Sequence, residues 1–212
     1  MVALVLKDLL VQKKVLGLAL LYVFIFSFAM HGLGEHLPLA VISGVAYMFV
    51  MYSGAWDDKC NADKLWNSLP VPKWKIVAAK YLAVLIYVAA VAALTWILFT
   101  VQPLVGIGDA LPKVRLDQAA VATGIVLGMS SFYLPLYFAL GYMRSRIFNI
   151  LIFSGSFSAA AVLSRVLTQR PAWAELIGGS GPAVWGLAAA CVVVVAGLSF
   201  LLSLQLYSRR EF

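Results

Sequence analysis

The sequence is poor in charge. Only 12% of its 212 residues are Asp, Glu, Lys or Arg, whereas 63% are hydrophobic. A soluble globular domain carries about 25% charged residues, and a soluble protein of this length could not bury so much apolar surface. The composition therefore excludes an ordinary soluble domain and indicates an integral membrane protein.

Residues that carry covalent or metal chemistry are also scarce. The two cysteines, Cys60 and Cys191, lie in a polar stretch and within an apolar run, so we expect free thiols. The two histidines, His31 and His36, flank one short loop, where a proton or metal role and an ordinary polar role both stay open. No metal-ligand spacing and no Ser-His-Asp or Cys-His set is present, so we expect no metal site and no enzyme activity in this chain.

The sequence has no nucleotide-binding motif of its own. The pattern G-x-x-x-x-G-K-[ST] does not occur, so the chain lacks a P-loop. Every acidic residue maps to a loop or to a span end, whereas proton-coupled transporters usually carry Asp or Glu inside their spans. We therefore expect no cofactor in this chain and no coupling to an ion gradient.

Long apolar runs are what the sequence has in abundance. A helix needs about 20 apolar residues to cross the hydrocarbon core. The first run is longer than a usual signal-peptide core and no A-x-A cleavage site follows it, so we expect it to be retained. The prediction is an all-α membrane protein with a single domain, 1–212. Its six transmembrane helices are expected at about 15–30, 37–56, 76–101, 119–142, 147–167 and 182–207.

The basic residues are divided unevenly between the loops. Twelve of the sixteen fall in the N-terminal segment, the 57–75 stretch with Lys80 beside it, the link with Arg144 and Arg146, and the tail. The positive-inside rule places this side, with both termini, in the cytoplasm. The net charge of +7 then reflects topology, and we expect no nucleic-acid partner.

An amphipathic segment precedes the first span. Residues 2–14 carry an apolar face and a polar face at helical spacing. The apolar face is Val2, Leu6, Leu9 and Leu10, and the residues off that face are Lys7, Asp8 and Gln12. This pattern predicts a helix lying in the plane of the membrane surface.

A second amphipathic segment lies between spans two and three. Ala62, Leu65, Trp66 and Leu69 follow an i, i+3, i+4, i+7 pattern, which predicts a helix over 58–69. Two aspartates would open it and two prolines would close it. The pattern leaves two alternatives, a helix lying flat on the membrane and a helix that presents Leu65 and Trp66 to a soluble partner.

Two stretches of this sequence resemble a known family. The stretch "DDKCNADKLWNSLPVPKWKIVAAKYL" is similar to the first cytoplasmic loop of ABC-2 type permeases, the membrane subunits of bacterial ATP-driven exporters. The opening "LVLKDLLVQKK" resembles the family's short interfacial elbow helix, and six spans with both ends inside agree. Within the family, the chain is most similar to small permeases of peptide exporters, such as the exporter of phenol-soluble modulins, and to bacteriocin-immunity permeases.

The resemblance implies a role for the loop helix as a coupling helix that docks on an ATP-binding subunit. It further implies two copies of that subunit, which would hold ATP and Mg²⁺, a second permease chain, identical or related, and a place in the bacterial plasma membrane. The expected substrate is amphipathic, with peptide toxins or antimicrobial peptides first and lipids or hydrophobic drugs next. The docking residues carried over by position are Asp57, Lys59, Asp63, Lys64, Leu65, Trp66, Asn67, Leu69 and Pro70.

Small and polar residues inside the spans suit close packing or a substrate path. For the G-x-x-x-G pair, packing within the chain and a dimer interface are alternatives. The proline of span four is expected to kink its helix or to mark a break that other groups satisfy. The arginine of span five could snorkel to the interface or contact substrate. These candidates are Gly124, Gly128, Pro135, Ser154, Ser156, Ser158 and Arg165.

Two further functions fit the composition. A membrane scaffold or immunity protein without transport would use the 57–75 helix to recruit a regulator, or would lay that helix on the bilayer. A lipid-modifying enzyme is the third possibility, and the chain lacks catalytic residues for it. Co-purification with a P-loop ATPase would separate the exporter from both.

Overall fold

The fold is known from a computed structural model, which describes residues 6–8, 10, 16–29, 31–62, 65–66, 71–105, 111–169 and 182–209. For 16, 18, 28, 31–32, 103–105, 157, 159–169 and 182–184 the description covers the backbone alone. All regular structure in these residues is helical, which confirms the predicted all-α class. The elements are α1 (Leu16–Ala29), a 3₁₀ helix (His31–His36), α2 (Leu37–Lys59), α3 (Lys73–Val105), α4 (Leu116–Leu140), α5 (Tyr142–Gln169) and α6 (Pro182–Arg209).

Four described helices are long and apolar enough to cross a membrane, and they match four of the six predicted spans. The helices α1 and α5 lie where the other two spans were predicted. Of the described residues, α1 has 14 and α5 has 28, and neither is among the helices found long and apolar enough. Crossing by α1 and α5 therefore stays a prediction. The four candidate spans are Leu33–Lys59, Lys73–Gln102, Leu116–Leu140 and Trp185–Arg209.

Contacts between side chains fix the direction of each helix. The contact partners on α3 and on α5 fall in residue number as the α2 residues rise, so both helices are antiparallel to α2. Residue numbers rise together for α4 with the chain that leads into and along α2, and for α6 with α4, so these pairs are parallel. The pairs are Ser53 with Lys80 and Phe49 with Tyr87 for α3, Gly54 with Tyr142 and Tyr47 with Asn149 for α5, Glu35 with Gln118 and Gly54 with Tyr133 for α4, and Gly124 with Val192 and Phe138 with Tyr207 for α6.

This alternation gathers basic residues at one end of the bundle. The C-termini of α2, α4 and α6 lie there with the N-termini of α3 and α5, and Lys73 donates to the Ser208 carbonyl at 3.3 Å. We call this the basic end. The uneven charge of the loops thus becomes an uneven charge of the folded bundle. The residues that give the end its name are Lys73, Lys75, Arg144, Arg146 and Arg209.

The helices differ in how far they are enclosed. In its most apolar window, α2 has 61% of its residues buried, whereas α6 has 11%. Apolar side chains such as Trp185, Leu187 and Val193 on α6 are exposed. The centre of the described bundle is therefore α2, and α6 offers an apolar face that suits lipid.

The connection between α4 and α5 is one residue long. Gly141 has φ 76° and ψ 173°, a region open essentially to glycine alone. Its N–H donates to the Tyr137 carbonyl at 2.9 Å, and its own carbonyl accepts from the Ser145 N–H at 3.1 Å. The predicted loop with Arg144 and Arg146 is therefore wrong, because both arginines lie in the first turns of α5.

The predicted helix over 58–69 is also wrong at its start. The helix α2 runs on to Lys59, and a turn at Cys60 and Asn61 follows, in which Asn61 has φ 49°. Asp57 and Asp58 thus close α2 rather than open a new helix. The reason is that Asp57 has cationic partners within the fold and is not needed as a cap.

Candidate functional site

Four charged side chains from three parts of the chain meet at the basic end. Lys7 Nζ lies 2.6 Å from Asp57 Oδ1 and 3.0 Å from Asp8 Oδ1. Lys80 Nζ lies 3.3 Å from Asp8 Oδ2 and also forms an ion pair with Asp57 Oδ2. Each lysine therefore contacts both carboxylates, and the four formal charges cancel. We call Lys7, Asp8, Asp57 and Lys80 the charge cluster.

The charge cluster is largely withdrawn from solvent. Asp8 and Asp57 are each 3% exposed and Lys80 is 6% exposed, while the Lys7 side chain is 33% exposed. Burying an ion costs several kcal/mol, which only close partners and added hydrogen bonds offset. Lys80 has such a bond, because it donates to Ser53 Oγ at 2.7 Å. Loss of any member would leave an unbalanced charge in this site.

Helical periodicity brings the cluster together. Val50, Ser53, Gly54 and Asp57 are all buried and lie at i, i+3, i+4 and i+7, so Asp57 continues the inner face of α2. In the same way Lys80 shares a buried stripe of α3 with Ile76 and Tyr87. The prediction missed Lys80 because hydropathy assigns charged residues to the outside. Its position on that stripe is the signal that would have found it.

Trp66 covers the charge cluster on the loop side. Its ring centroid lies 4.3 Å from Lys7 Nζ and 5.9 Å from Lys80 Nζ, distances at which a cation attracts an aromatic face. Trp66 is 4% exposed, so the prediction that the loop presents Trp66 to a partner is wrong. Leu65 is 60% exposed and is the apolar side chain that the described part of the loop presents outward.

The remaining predicted docking residues fall into two groups. Asp57 is buried in the charge cluster and offers no docking surface in this structure, whereas Lys59 is exposed, with Nζ 5.4 Å from the Trp56 ring. The others lie outside the described residues, and they are Asp63, Lys64, Asn67, Leu69 and Pro70.

The N-terminal segment is helical where it is described, at 6–8 and at 10. Leu6 and Leu10 are exposed, while Asp8 is buried in the charge cluster. The predicted separation of an apolar face from Lys7 and Asp8 is therefore present. That the segment lies in the membrane plane stays a prediction.

A small cavity adjoins the charge cluster. It measures about 10 Å³, near the space of a single water molecule. The polar residues in its lining are Ser53, Lys80, Tyr87, Tyr133 and Tyr137. Such a cavity can hold water beside the Lys80 ammonium but is far too small for a peptide or a lipid.

The predicted small-residue positions behave differently from one another. A Cβ added at Gly124 would lie 3.9 Å from Val192 Cγ2 of α6, whereas one at Gly128 would meet nothing within 4 Å. Gly124 therefore packs within the chain, and Gly128 does not take part. On α5, Ser154 and Ser158 are exposed. Ser156 bonds within its own helix, donating to the Ile152 carbonyl at 2.7 Å, and the side chain of Arg165 lies outside the described residues.

Pro135 lies inside α4 without ending the helix. Because proline has no N–H, the Ser131 carbonyl loses its helical partner. Ser199 of α6 donates to that carbonyl at 2.5 Å, and the Tyr81 hydroxyl of α3 lies 2.6 Å from Ser199 Oγ. The proline is thus a break that other groups satisfy, as one predicted alternative held, and it joins three helices.

Replacing Ser199 with alanine is expected to destabilise the chain by about 1 kcal/mol, because the Ser131 carbonyl is left unpaired. In a Pro135→Ala background the helix supplies its own N–H, so the same substitution should cost less. Thermal unfolding of the four proteins in detergent measures the coupling. Ser156→Ala, which removes a bond within one helix, is the matched control. An equal cost of Ser199→Ala in both backgrounds would contradict the assignment.

Metal and disulfide chemistry are limited in the described residues. Cys60 and Cys191 are free thiols, as expected, and both are exposed. In the part of the chain that is described, no three His, Cys, Asp or Glu side chains come close enough to hold a metal ion.

Comparison with known proteins gives one informative match. A family model described as "ABC-2 family transporter protein" matches residues 3–208. The matched range includes the charge cluster, Trp66 and Leu65. No curated protein and no solved structure matches the chain.

Proposed function

The chain belongs to the ABC-2 family of transporter proteins, and from this membership we propose that it is the permease subunit of an ATP-driven exporter. Permeases of this family generally work with an ATP-binding subunit. In the proposed complex that partner binds ATP and Mg²⁺ and hydrolyses the nucleotide, while this chain provides transmembrane helices and no catalytic group.

The proposed complex contains two ATP-binding subunits and a second permease chain, identical or related to this one. Its basic end and both termini face the cytoplasm of a bacterium, where ATP is available. The uneven distribution of Lys and Arg supports this orientation, because cytoplasmic loops of membrane proteins are rich in basic residues.

The proposed docking contact with the ATP-binding subunit is the loop segment around Leu65. The observation that carries this proposal is the 60% exposure of Leu65 on a short helical segment at the basic end, next to the buried Trp66. An apolar side chain on a short helix suits a groove on a soluble partner. Lys59, at the end of α2, is also exposed.

The proposed substrate is amphipathic, with peptide toxins or antimicrobial peptides as the first candidates and lipids or hydrophobic drugs as the second. The support is the character of the described helix faces. The exposed side of α5 combines apolar residues such as Ile147 and Leu151 with the hydroxyls of Ser154 and Ser158. Such a face contacts apolar and polar parts of one molecule.

Replacing Leu65 with aspartate is expected to weaken the complex with the ATP-binding subunit by about tenfold or more, since a carboxylate would be buried without a partner. Binding is measured by co-purification and titration with a P-loop ATPase, for which one encoded beside this gene would be the first choice. Leu116→Asp is the matched control, because Leu116 is 91% exposed at the opposite end.

Two results of this experiment would change the proposal. Unchanged binding by Leu65→Asp would remove the loop from the interface. If no ATP-binding protein associates with the unmodified chain, the result would favour the alternative function, a membrane scaffold or immunity protein without transport.

A further inference from the structure

The loop at the basic end combines an outward and an inward side chain in adjacent positions. Leu65 is 60% exposed, whereas Trp66 is 4% exposed and lies on the charge cluster. The candidate docking residue and the buried ions are therefore separated by one side chain. Trp66 is therefore the residue through which this segment contacts the charge cluster.

We propose that Trp66 is a positioning residue that passes the state of the docked ATP-binding subunit to α2 and α3 through the charge cluster, while Leu65 provides binding. This inference rests on the proposed function and assigns binding and coupling to two neighbouring residues. It predicts that the two can be separated by mutation.

The Trp66 ring contacts two of the segments that meet at the basic end. Its ring lies on Lys7 from the N-terminal segment and on Lys80 from α3. Both lysines share Asp57, near the end of α2. A displacement of the ring therefore changes the surroundings of charges on three segments at once.

The turn that follows α2 is short. Cys60 and Asn61 lie between the end of α2 and the helical Ala62. The Asn61 N–H donates to the Asp58 carbonyl at 3.0 Å, which ties this turn to the end of α2 that carries Asp57.

The chemistry of the cluster favours movement as a unit. A buried ion cluster generally stabilises a fold no more than an apolar core of the same shape, but it restricts the arrangements in which each charge keeps a partner. A set of few allowed arrangements is what a two-state coupling element needs. Lys7, the member with the most exposed side chain, lies closest to the Trp66 ring.

The test separates binding from stimulation of ATP hydrolysis, both measured with the full chain in lipid nanodiscs and the ATP-binding subunit. For Trp66→Leu, which removes the ring, we expect a Kd for the subunit within about twofold of the unmodified chain. Stimulation of ATP hydrolysis by the permease should fall by about fivefold or more, the lower end of usual coupling. Trp66→Phe keeps an aromatic face and should restore stimulation.

A second variant distinguishes loss of coupling from a general loss of folding. The pair Lys7→Met with Asp8→Asn removes the cation nearest the ring while leaving Lys80 and Asp57 balanced, and it should show the same split. Trp74→Leu is the matched control. Trp74 also lies near a lysine, 5.6 Å from Lys75 Nζ, but it is 47% exposed, so both binding and stimulation should be unchanged.

Each other outcome overturns the inference. Unchanged stimulation in Trp66→Leu and in the Lys7 and Asp8 pair would show that the ring transmits nothing. Parallel loss of binding and stimulation in both variants would show a structural role alone. Binding without any stimulation by the unmodified chain would remove the coupling role and leave the proposed complex intact, whereas absence of binding would refute the proposed function itself.

Discussion

Replacing Lys80 with methionine is expected to destabilise the folded chain by about 3–5 kcal/mol, because it leaves buried carboxylates without a balancing charge. Lys80 is one of two cations shared by Asp8 and Asp57, which are each 3% exposed. Methionine is also long and unbranched, so the loss would come from charge rather than from a cavity. Thermal unfolding in detergent, followed by size-exclusion chromatography, gives the change in stability.

A second variant, in which one carboxylate is removed together with Lys80, tests whether the loss of stability comes from unbalanced charge. Lys80→Met combined with Asp57→Asn leaves Lys7 and Asp8 as a neutral pair and should recover most of the lost stability. As a control, Arg115→Met removes the exposed pair with Asp117, whose atoms lie 3.1 Å apart, and should change stability by no more than about 0.5 kcal/mol. If the double variant were as unstable as the sum of its two single variants, charge balance would not be the cause.

Alanine in place of Gly54 is expected to destabilise the chain by about 1–3 kcal/mol through overpacking. A Cβ at this position would lie 2.7 Å from the Tyr133 hydroxyl and 3.4 Å from Cε2 of Tyr137. Tyr133 is 1% exposed, so its ring has little room to move aside. Gly54 is therefore the point at which α4 approaches the α2 backbone.

Removing the clashing hydroxyl tests the cause directly. In a Tyr133→Phe background, Gly54→Ala should lose less stability than in the unmodified chain, and unfolding of the four proteins measures that coupling. Gly155→Ala on α5 is the control, because a Cβ there meets nothing within 4 Å and alanine is the better helix former. Equal losses in both backgrounds would mean that the Tyr133 hydroxyl is not what limits the space.

The positions of the long helices could be predicted from sequence because apolar length alone determines them. The prediction of 37–56 for the second span, for example, stops three residues before α2 ends at Lys59. The error arises at Asp57, which hydropathy treats as a loop residue. Its partner Lys7 lies 50 positions away, and no local pattern contains that pairing.

The site shows the same limit at the level of side chains. Periodicity assigned both Leu65 and Trp66 to the apolar face of one helix, but it could not say which of the two side chains is buried in the protein. Lys7 and Lys80 decide this by attracting the Trp66 ring. Likewise the missing hydrogen bond of Pro135 could be predicted from its chemistry, whereas its replacement by Ser199 depends on how α6 packs.

The one-residue connection at Gly141 limits how α4 and α5 can move apart. Successive Cα atoms are about 3.8 Å apart, so the two helix ends at the basic end cannot separate while Gly141 joins them. Any rearrangement that parts these helices must widen toward the opposite end. A rotation of about 10° around Gly141 would displace the far end of α4, about 37 Å away, by about 6 Å. If α4 and α5 separate, the gap between them would therefore be small at the basic end and largest at the opposite end.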